Sequence, residues 1–137
     1  MSRALPAASL IALALCAAAL PARAQGDPAA GEAIFKRCIA CHAVGPAAAD
    51  KVGPRLNGVV DAVWGVSEKF ARYSPGLKEG KAAGRVWDEA TLAAYLEAPK
   101  KVIPRGTMAF AGLRQEKERA DVIAYLRQFG PDGEKAE

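Results

Sequence analysis

The chain has 137 residues and a formal net charge of +4 at pH 7, from 19 lysines and arginines against 15 acidic residues. This length allows one domain with a modest core and leaves no room for a second. The charge is weak, and the aromatic residues are not interleaved with a basic stripe, so the composition argues against a nucleic-acid-binding protein.

The first 24 residues have the layout of a secretory signal peptide. A basic start, MSR, is followed by the apolar stretch ALPAASLIALALCAAAL and by PARA, which ends in an A-x-A pattern. We predict a signal peptide at 1–24 and a mature domain at 25–137, which keeps 17 basic and 15 acidic residues. Export across the inner membrane would place this domain in the periplasm, an oxidising compartment.

Two alternatives for the N-terminal segment remain open. The apolar run is nearly long enough to span a bilayer, so it also fits an uncleaved membrane anchor. A lipoprotein acylated at Cys16 is the second alternative, and Leu15 argues against it because lipid-modified cysteines usually follow a small residue.

A short helix is predicted next, in DPAAGEAIFKRC, because Pro28 stands near its start and apolar residues recur at helical spacing through Phe35. It leads into KRCIACHAV, residues 36–44, which holds both cysteines of the predicted mature domain and the one histidine of the chain.

Three kinds of site are built from thiols and histidine. A disulfide or a thioredoxin-like redox pair is the first, although no β-branched strand precedes Cys38 as a thioredoxin motif requires. A structural zinc site needs four ligands, and only three are present. The C-x-x-C-H spacing favours covalent haem attachment, with thioethers at Cys38 and Cys41 and with His42 as an iron ligand.

Residues 45–85 are rich in glycine, proline and alanine and are predicted to be largely loop. A helix follows in DEATLAAYLEAP, where Asp88 is a suitable N-cap and Pro99 ends the helix. Leu92, Tyr95 and Leu96 lie on one face of it.

Met108 is the one methionine of the predicted mature domain. It lies in VIPRGTMAFAGL, a segment broken by proline and glycine, and not in an amphipathic helix. An isolated methionine is usually core filling. If the chain carries a haem, however, Met108 is the thioether available as second axial ligand, since no second histidine is present.

The end of the chain predicts a last helix. The charged run RQEKERAD precedes an apolar face made by Val122, Ile123, Tyr125 and Leu126.

From about Gly26 to Phe129 these segments together resemble a class I c-type cytochrome, similar to mitochondrial cytochrome c and its soluble bacterial relatives of the cytochrome c2 type. The matching segments occur in the family's order along the chain: CIACH, GPRLNG, KFARYS, WDEATLAAYLEAPKKVIP, TMAFAGL and ADVIAYL. The resemblance implies a small all-α fold in which helices at about 28–40 and 116–129 cross, with Gly31 permitting close approach. Loops would wrap around one covalent haem c.

The resemblance also implies roles for five further residues. Pro54 resembles the proline whose carbonyl accepts a hydrogen bond from the proximal imidazole. Tyr73 and Trp87 resemble residues that hydrogen-bond a buried haem propionate, and Tyr95 resembles a tyrosine near the methionine sulfur. Phe110 would shield the exposed haem edge. Plain packing is the alternative role for each aromatic residue.

The chain departs from the family pattern at three places. Ala62 stands where an arginine is expected, so the propionate charge would be balanced differently. The stretch from Val59 to Val86 is longer than in the mitochondrial protein and contains an unmatched Trp64. The methionine loop reads PRGTM where the family usually has PGTKM.

The implied function is one-electron transfer without enzymatic activity, by a periplasmic monomer that meets membranes only through its partners. The expected donor is a complex of the quinol:cytochrome c reductase type, and the expected acceptor is an oxidase or a photosynthetic reaction centre. A fixed or anchored subunit of one oxidoreductase is the first alternative. A haem peroxidase or gas-binding protein, which would require Met108 to be displaced, is the second.

Basic residues in segments near the expected haem edge predict a docking ring, with acidic residues far along the chain. The basic residues are Lys36, Arg37, Lys51, Lys100, Lys101 and Arg105, and the acidic ones are Glu116, Glu118, Asp121, Glu134 and Glu137.

Overall fold

The computed structural model describes residues 25–136, so the predicted signal peptide lies outside the described residues. Five helices follow one another: α1 Pro28–Phe35, α2 Pro75–Ala82, α3 Glu89–Glu97, α4 Pro99–Val102 and α5 Glu116–Arg127. Between residues 25 and 136, β pairing is confined to two isolated bridges. No helix in this range is long and apolar enough to cross a bilayer. The predicted all-α class is confirmed.

Helix α1 begins where the sequence predicts and ends earlier. The Asp27 side chain accepts a hydrogen bond from Ala29 N at 2.9 Å, and Pro28 occupies the first turn. The predicted end at residue 40 is wrong, because residues 36–41 form turns. There Cys38 N bonds to Phe35 O, three residues back, at 2.7 Å.

Helices α1 and α5 cross as the resemblance implies, and glycine makes the close crossing possible. A Cβ added at Gly31 would lie 2.0 Å from Asp121 O, so no larger residue fits there without a shift. One turn later Phe35 packs on Tyr125, with ring centroids 5.4 Å apart. Helix α5 ends at Arg127, two residues before the predicted end at 129.

Helix α3 matches its prediction closely. The Asp88 side chain caps it by accepting a hydrogen bond from Thr91 N at 2.7 Å, and the helix ends before Pro99. Leu92 and Leu96 are both buried. Pro99 also starts the short helix α4, because proline is compatible with the first position of a helix.

Helix α2 is not predicted from the sequence; it lies within residues 45–85, which are otherwise mostly loop and turn as expected. Its N-cap is Ser74, whose hydroxyl accepts a hydrogen bond from Leu77 N at 3.3 Å. Added Cβ atoms at Gly76 and Gly80 would lie 2.5 Å from Ile103 Cγ2 and 1.9 Å from Trp64 Cε3. The two glycines therefore let α2 lie directly on the core.

Candidate haem site

One cavity of about 270 Å³ brings together all nine site residues predicted from the sequence. They are Cys38, Cys41, His42, Pro54, Tyr73, Trp87, Tyr95, Met108 and Phe110. Most of the other lining residues are apolar, including Val59, Leu92 and Leu126. An apolar wall with a few convergent donor atoms is typical of cofactor sites.

The two thiols lie on the turn that follows α1. Cys41 N and His42 N both bond to Cys38 O, at 3.0 and 2.8 Å, so the turn brings all three side chains to one region. Both cysteines are free, with no disulfide between them. Burial raises the pKa of Cys38, and the positive charge of Arg37 opposes that rise.

His42 is held by hydrogen bonding and by close packing. Its Nδ1 lies 2.7 Å from Pro54 O. A carbonyl oxygen can only accept, so Nδ1 carries the proton and Nε2 keeps a free lone pair. Burial lowers the pKa of His42, against the raising effect of the Pro54 carbonyl, and Lys51 lowers it further. A Cβ added at Gly53 would lie 2.4 Å from His42 Cε1, so the ring rests on that glycine.

Met108 is half-buried at the cavity in the segment between α4 and α5. The Tyr95 hydroxyl donates to Met108 Sδ at 3.4 Å. Burial raises the pKa of Tyr95 to about 12, so the phenol keeps its proton and remains a donor at physiological pH. Leu113 N, bonded to Leu96 O at 2.7 Å, ties the end of this segment to α3.

Tyr73 and Trp87 both line the cavity but differ in their surroundings. The Tyr73 hydroxyl oxygen accepts from Ser67 N at 3.0 Å, which leaves its proton free for a second partner. The pKa of Tyr73 is raised, mainly because the phenol is partly buried. Trp87 is buried between two aromatic rings, those of Trp64 and Tyr95.

Three further residues contribute to the site through contacts that the motifs do not predict. Ser67 is buried and donates from Oγ to the Asp50 carboxylate at 3.0 Å, and its N–H orients Tyr73. Gly53 belongs to GPRLNG, but its contact with the His42 ring depends on the folded loop. Arg72 lines the cavity and donates to Lys51 O.

Ion pairs modify the predicted charge separation. Arg37 lies 3.2 Å from Glu118, and Arg105 pairs with Glu79. Glu118 was predicted to lie away from the basic ring, and this is wrong because the crossing of α1 and α5 places it beside Arg37.

The fold and the donor set define a c-type cytochrome: free thiols in C-x-x-C-H spacing, an oriented histidine and a thioether meet at one apolar cavity. The cytochrome c family model matches residues 28–130, most of the chain, and the chain belongs to the cytochrome c family. Its class I fold and its attachment of one haem c through Cys38 and Cys41 follow from that membership, so the disulfide interpretation is wrong.

Known relatives agree. Cytochrome c2 from Rhodoblastus acidophilus is 47% identical over 110 residues, which cover 80% of this chain and 99% of that protein. Cytochrome c-550 from Ancylobacter novellus is 47% identical over 108 residues, 79% of this chain and 100% of the relative. The structure of cytochrome c2 from Rhodospirillum centenum is 42% identical and has a TM-score of 0.70, covering 77% and 100% of the two chains. The protein is thus a haem c electron carrier.

Proposed function

We propose that this protein is a periplasmic, non-enzymatic one-electron carrier in which His42 and Met108 would ligate the haem iron. One observation supports this most strongly. Both side chains line the cavity that contains the two cysteines, and each is held by a partner of its own, Pro54 O at 2.7 Å and the Tyr95 hydroxyl at 3.4 Å.

A haem iron with one imidazole and one thioether ligand exchanges a single electron without changing its ligands. The residues of this chain set the conditions for that exchange. The Pro54 carbonyl fixes the tautomer of His42 and makes the imidazole more basic. The Tyr95 hydroxyl orients the thioether of Met108. Apolar lining residues exclude water, which limits solvent reorganisation during transfer.

The compartment and partners belong to the same proposal. Residues 1–24 direct export and are removed before Gln25, and the mature monomer moves between membrane redox complexes. Its donor is of the quinol:cytochrome c reductase type, and its acceptor is an oxidase or a reaction centre. Within residues 25–136, Lys36 and Lys101 are exposed and have no ion pair, so they are available to acidic partner surfaces.

Spectroscopy of the purified holoprotein tests the ligand set. Expected are low-spin spectra in both oxidation states, a weak sulfur-to-ferric-iron band at the red end, and no carbon monoxide binding to the reduced protein at neutral pH. Haem should remain attached after acid-acetone extraction. High-spin bands with ready carbon monoxide binding would instead identify a peroxidase or gas-binding protein.

Fractionation of the native cell tests the compartment. We expect the protein, with its N-terminus at Gln25, in the periplasmic fraction. Recovery only with membranes, bound to one oxidoreductase and with residues 1–24 retained, would instead identify a fixed subunit.

A further inference from the structure

Trp64, which has no counterpart in the family pattern, lies on a short antiparallel pairing. Trp64 N donates to Arg85 O at 2.9 Å, and Trp87 N donates to Ala62 O at 2.8 Å. Val63 and Val86 form the bridge between these bonds, and both are exposed.

Because side chains alternate along an extended segment, residues 64 and 87 occupy the inner face as a diagonal cross-strand pair. Their indoles stack with centroids 4.5 Å apart and planes 21° apart. Both are almost fully buried, at 2% and 5% exposed.

The Trp64 ring is also in contact with helix α2 and with Arg85. Helix α2 touches it at Gly80, where an added Cβ would overlap the Cε3 edge at 1.9 Å. The Arg85 guanidinium lies 5.2 Å from the ring centroid, within cation–π range. Contacts with Gly80 and with Arg85 thus restrict the Trp64 ring, which stacks on the indole of Trp87.

Trp87, in contrast, faces the haem cavity, and Trp64 is not among the residues that line it. Trp87 also packs on Tyr95, with centroids 4.9 Å apart, and Tyr95 donates to Met108 Sδ. Contacts therefore run without a gap from Trp64, through two cavity-lining aromatic rings, to the proposed ligand.

We propose that Trp64 is a positioning residue: its stacked indole sets the orientation of Trp87 at the haem and, through Tyr95, the seating of Met108. This inference rests on the proposed function, which assigns Met108 to the iron, and on the family resemblance, which implies that Trp87 meets a propionate. Plain core packing would require only apolar volume at residue 64, whereas positioning requires a flat ring.

The test compares Trp64→Leu, which removes the ring, with Trp64→Phe, which keeps one. In purified holoprotein, Trp64→Leu should shift the reduction potential and weaken the sulfur-to-iron band, and Trp64→Phe should restore both to near wild-type values. Ile123→Ala is the matched control, since Ile123 is equally buried but does not line the cavity. It should lower the melting temperature and leave the potential and the band unchanged.

A double-mutant cycle with Trp87→Phe tests the route of the effect. The Trp64→Leu shift in potential should be largely lost when residue 87 is already Phe. Additive shifts, or a Trp64→Leu potential equal to the wild-type value despite a lower melting temperature, would overturn the inference.

If Trp64→Leu yields too little holoprotein, Gly80→Ala is measured in its place, because the added methyl group displaces the same ring. An unchanged potential and band in Gly80→Ala would then overturn the inference. Failure of the proposed function is separately visible, since wild-type protein would lack the red band.

Discussion

At the scale of single residues, the imidazole of His42 is held from two directions. Pro54 O accepts from Nδ1, and the backbone at Gly53 leaves only enough space for the ring. The first contact leaves the Nε2 lone pair free for the proposed bond to iron, and the second fixes where the ring lies. Both contacts come from one loop, so under the proposed ligation a change in this loop should alter the iron spectrum.

Gly53→Ala tests this seating. The added methyl group would meet His42 Cε1 at 2.4 Å, so the ring must move, and we expect a lower yield of holoprotein with a perturbed low-spin spectrum and an altered reduction potential. Gly84→Ala is the control, because its added Cβ meets nothing within 4 Å and its φ of 67° lies in the left-handed region, so the change strains only the backbone. The control should lose about 1–2 kcal/mol of stability and keep its spectrum. Identical spectra for both variants would contradict a role for Gly53 in seating the ring.

Met108→Ala tests the second proposed iron ligand. Residues 25–137 contain no other methionine or histidine that could replace the sulfur, so the haem should stay attached while the iron becomes high-spin or water-ligated. The red band should vanish, and the potential should fall because the soft ligand that favours ferrous iron is lost.

Tyr95→Phe is the matched variant for that prediction, since it removes the hydrogen bond to Sδ and leaves the sulfur in place. We expect it to keep the band and shift the potential by less than Met108→Ala does. An unchanged spectrum in Met108→Ala would mean that this residue only packs in the core.

At the scale of elements, helices whose start and stop residues are marked in the sequence were predicted well. The capping carboxylate of Asp88 and the proline at 99 bracket α3 in the sequence as in the structure. Helix α2 was missed although Ser74 and Pro75 are a starting signal, because glycine is a poor helix former in isolation. Its glycines contribute by close contact with Ile103 and Trp64, a tertiary effect that no local pattern contains.

In the candidate site, too, some residues could be predicted from the sequence and others could not. The sequence predicts nine of the lining residues because the chain offers few possible ligands and because the family pattern runs from about Gly26 to Phe129. The supporting contacts of Ser67 and the stack of Trp64 on Trp87 were not predicted. Those contacts require that distant loop segments meet in register, which depends on the folded chain.

The junction of α1 and α5 supports a prediction on pH. Asp121 is buried, accepts from Lys117 Nζ at 2.7 Å and from Asp27 N at 2.8 Å, and so joins the start of α1 to α5. The Lys117 hydrogen bond is the main reason that the pKa of Asp121 is lowered, and the Asp27 N–H adds to it against the cost of burial. A lowered pKa in the folded state stabilises the protein above the unfolded pKa of about 3.9, and this contribution is lost as pH falls through the folded value.

The melting temperature of Asp121→Asn should therefore lie below that of the wild type at pH 6–7. The difference between the two melting temperatures should narrow as the pH falls below about 4. Melting curves by far-UV circular dichroism at several pH values measure it. Glu116→Gln, an exposed change of equal charge on the same helix, should show little difference at any pH. A gap for Asp121→Asn that is constant from pH 7 to pH 3 would contradict the electrostatic origin.

At the scale of the whole molecule, the net charge is small, and docking depends on where unpaired charges lie. Arg37 and Arg105 each have an acidic neighbour, Glu118 and Glu79, which reduces the local positive charge at two members of the predicted ring. Lys100 donates to Gly106 O, two residues before Met108, so replacing Lys100 would disturb the segment that carries Met108 as well as the charge. Lys101, on the same short helix, is exposed and has no ion pair within residues 25–136.

Lys101→Glu is thus the clean test of docking. If Lys101 meets an acidic partner, the bimolecular rate of electron transfer to the native membrane complex should fall severalfold at low ionic strength, because two units of charge change at the contact. The wild-type rate should decrease as salt is added, since ions screen attraction over about 8–10 Å, and the two rates should converge at high salt. The reduction potential should stay the same because the side chain is exposed.

Lys135→Glu, an equal charge change beside Tyr125 and Phe129, is the control and should leave the rate nearly unchanged. Stopped-flow measurements across a salt series decide the matter: equal losses in both variants would indicate a net-charge effect, and a wild-type rate independent of salt would indicate apolar docking.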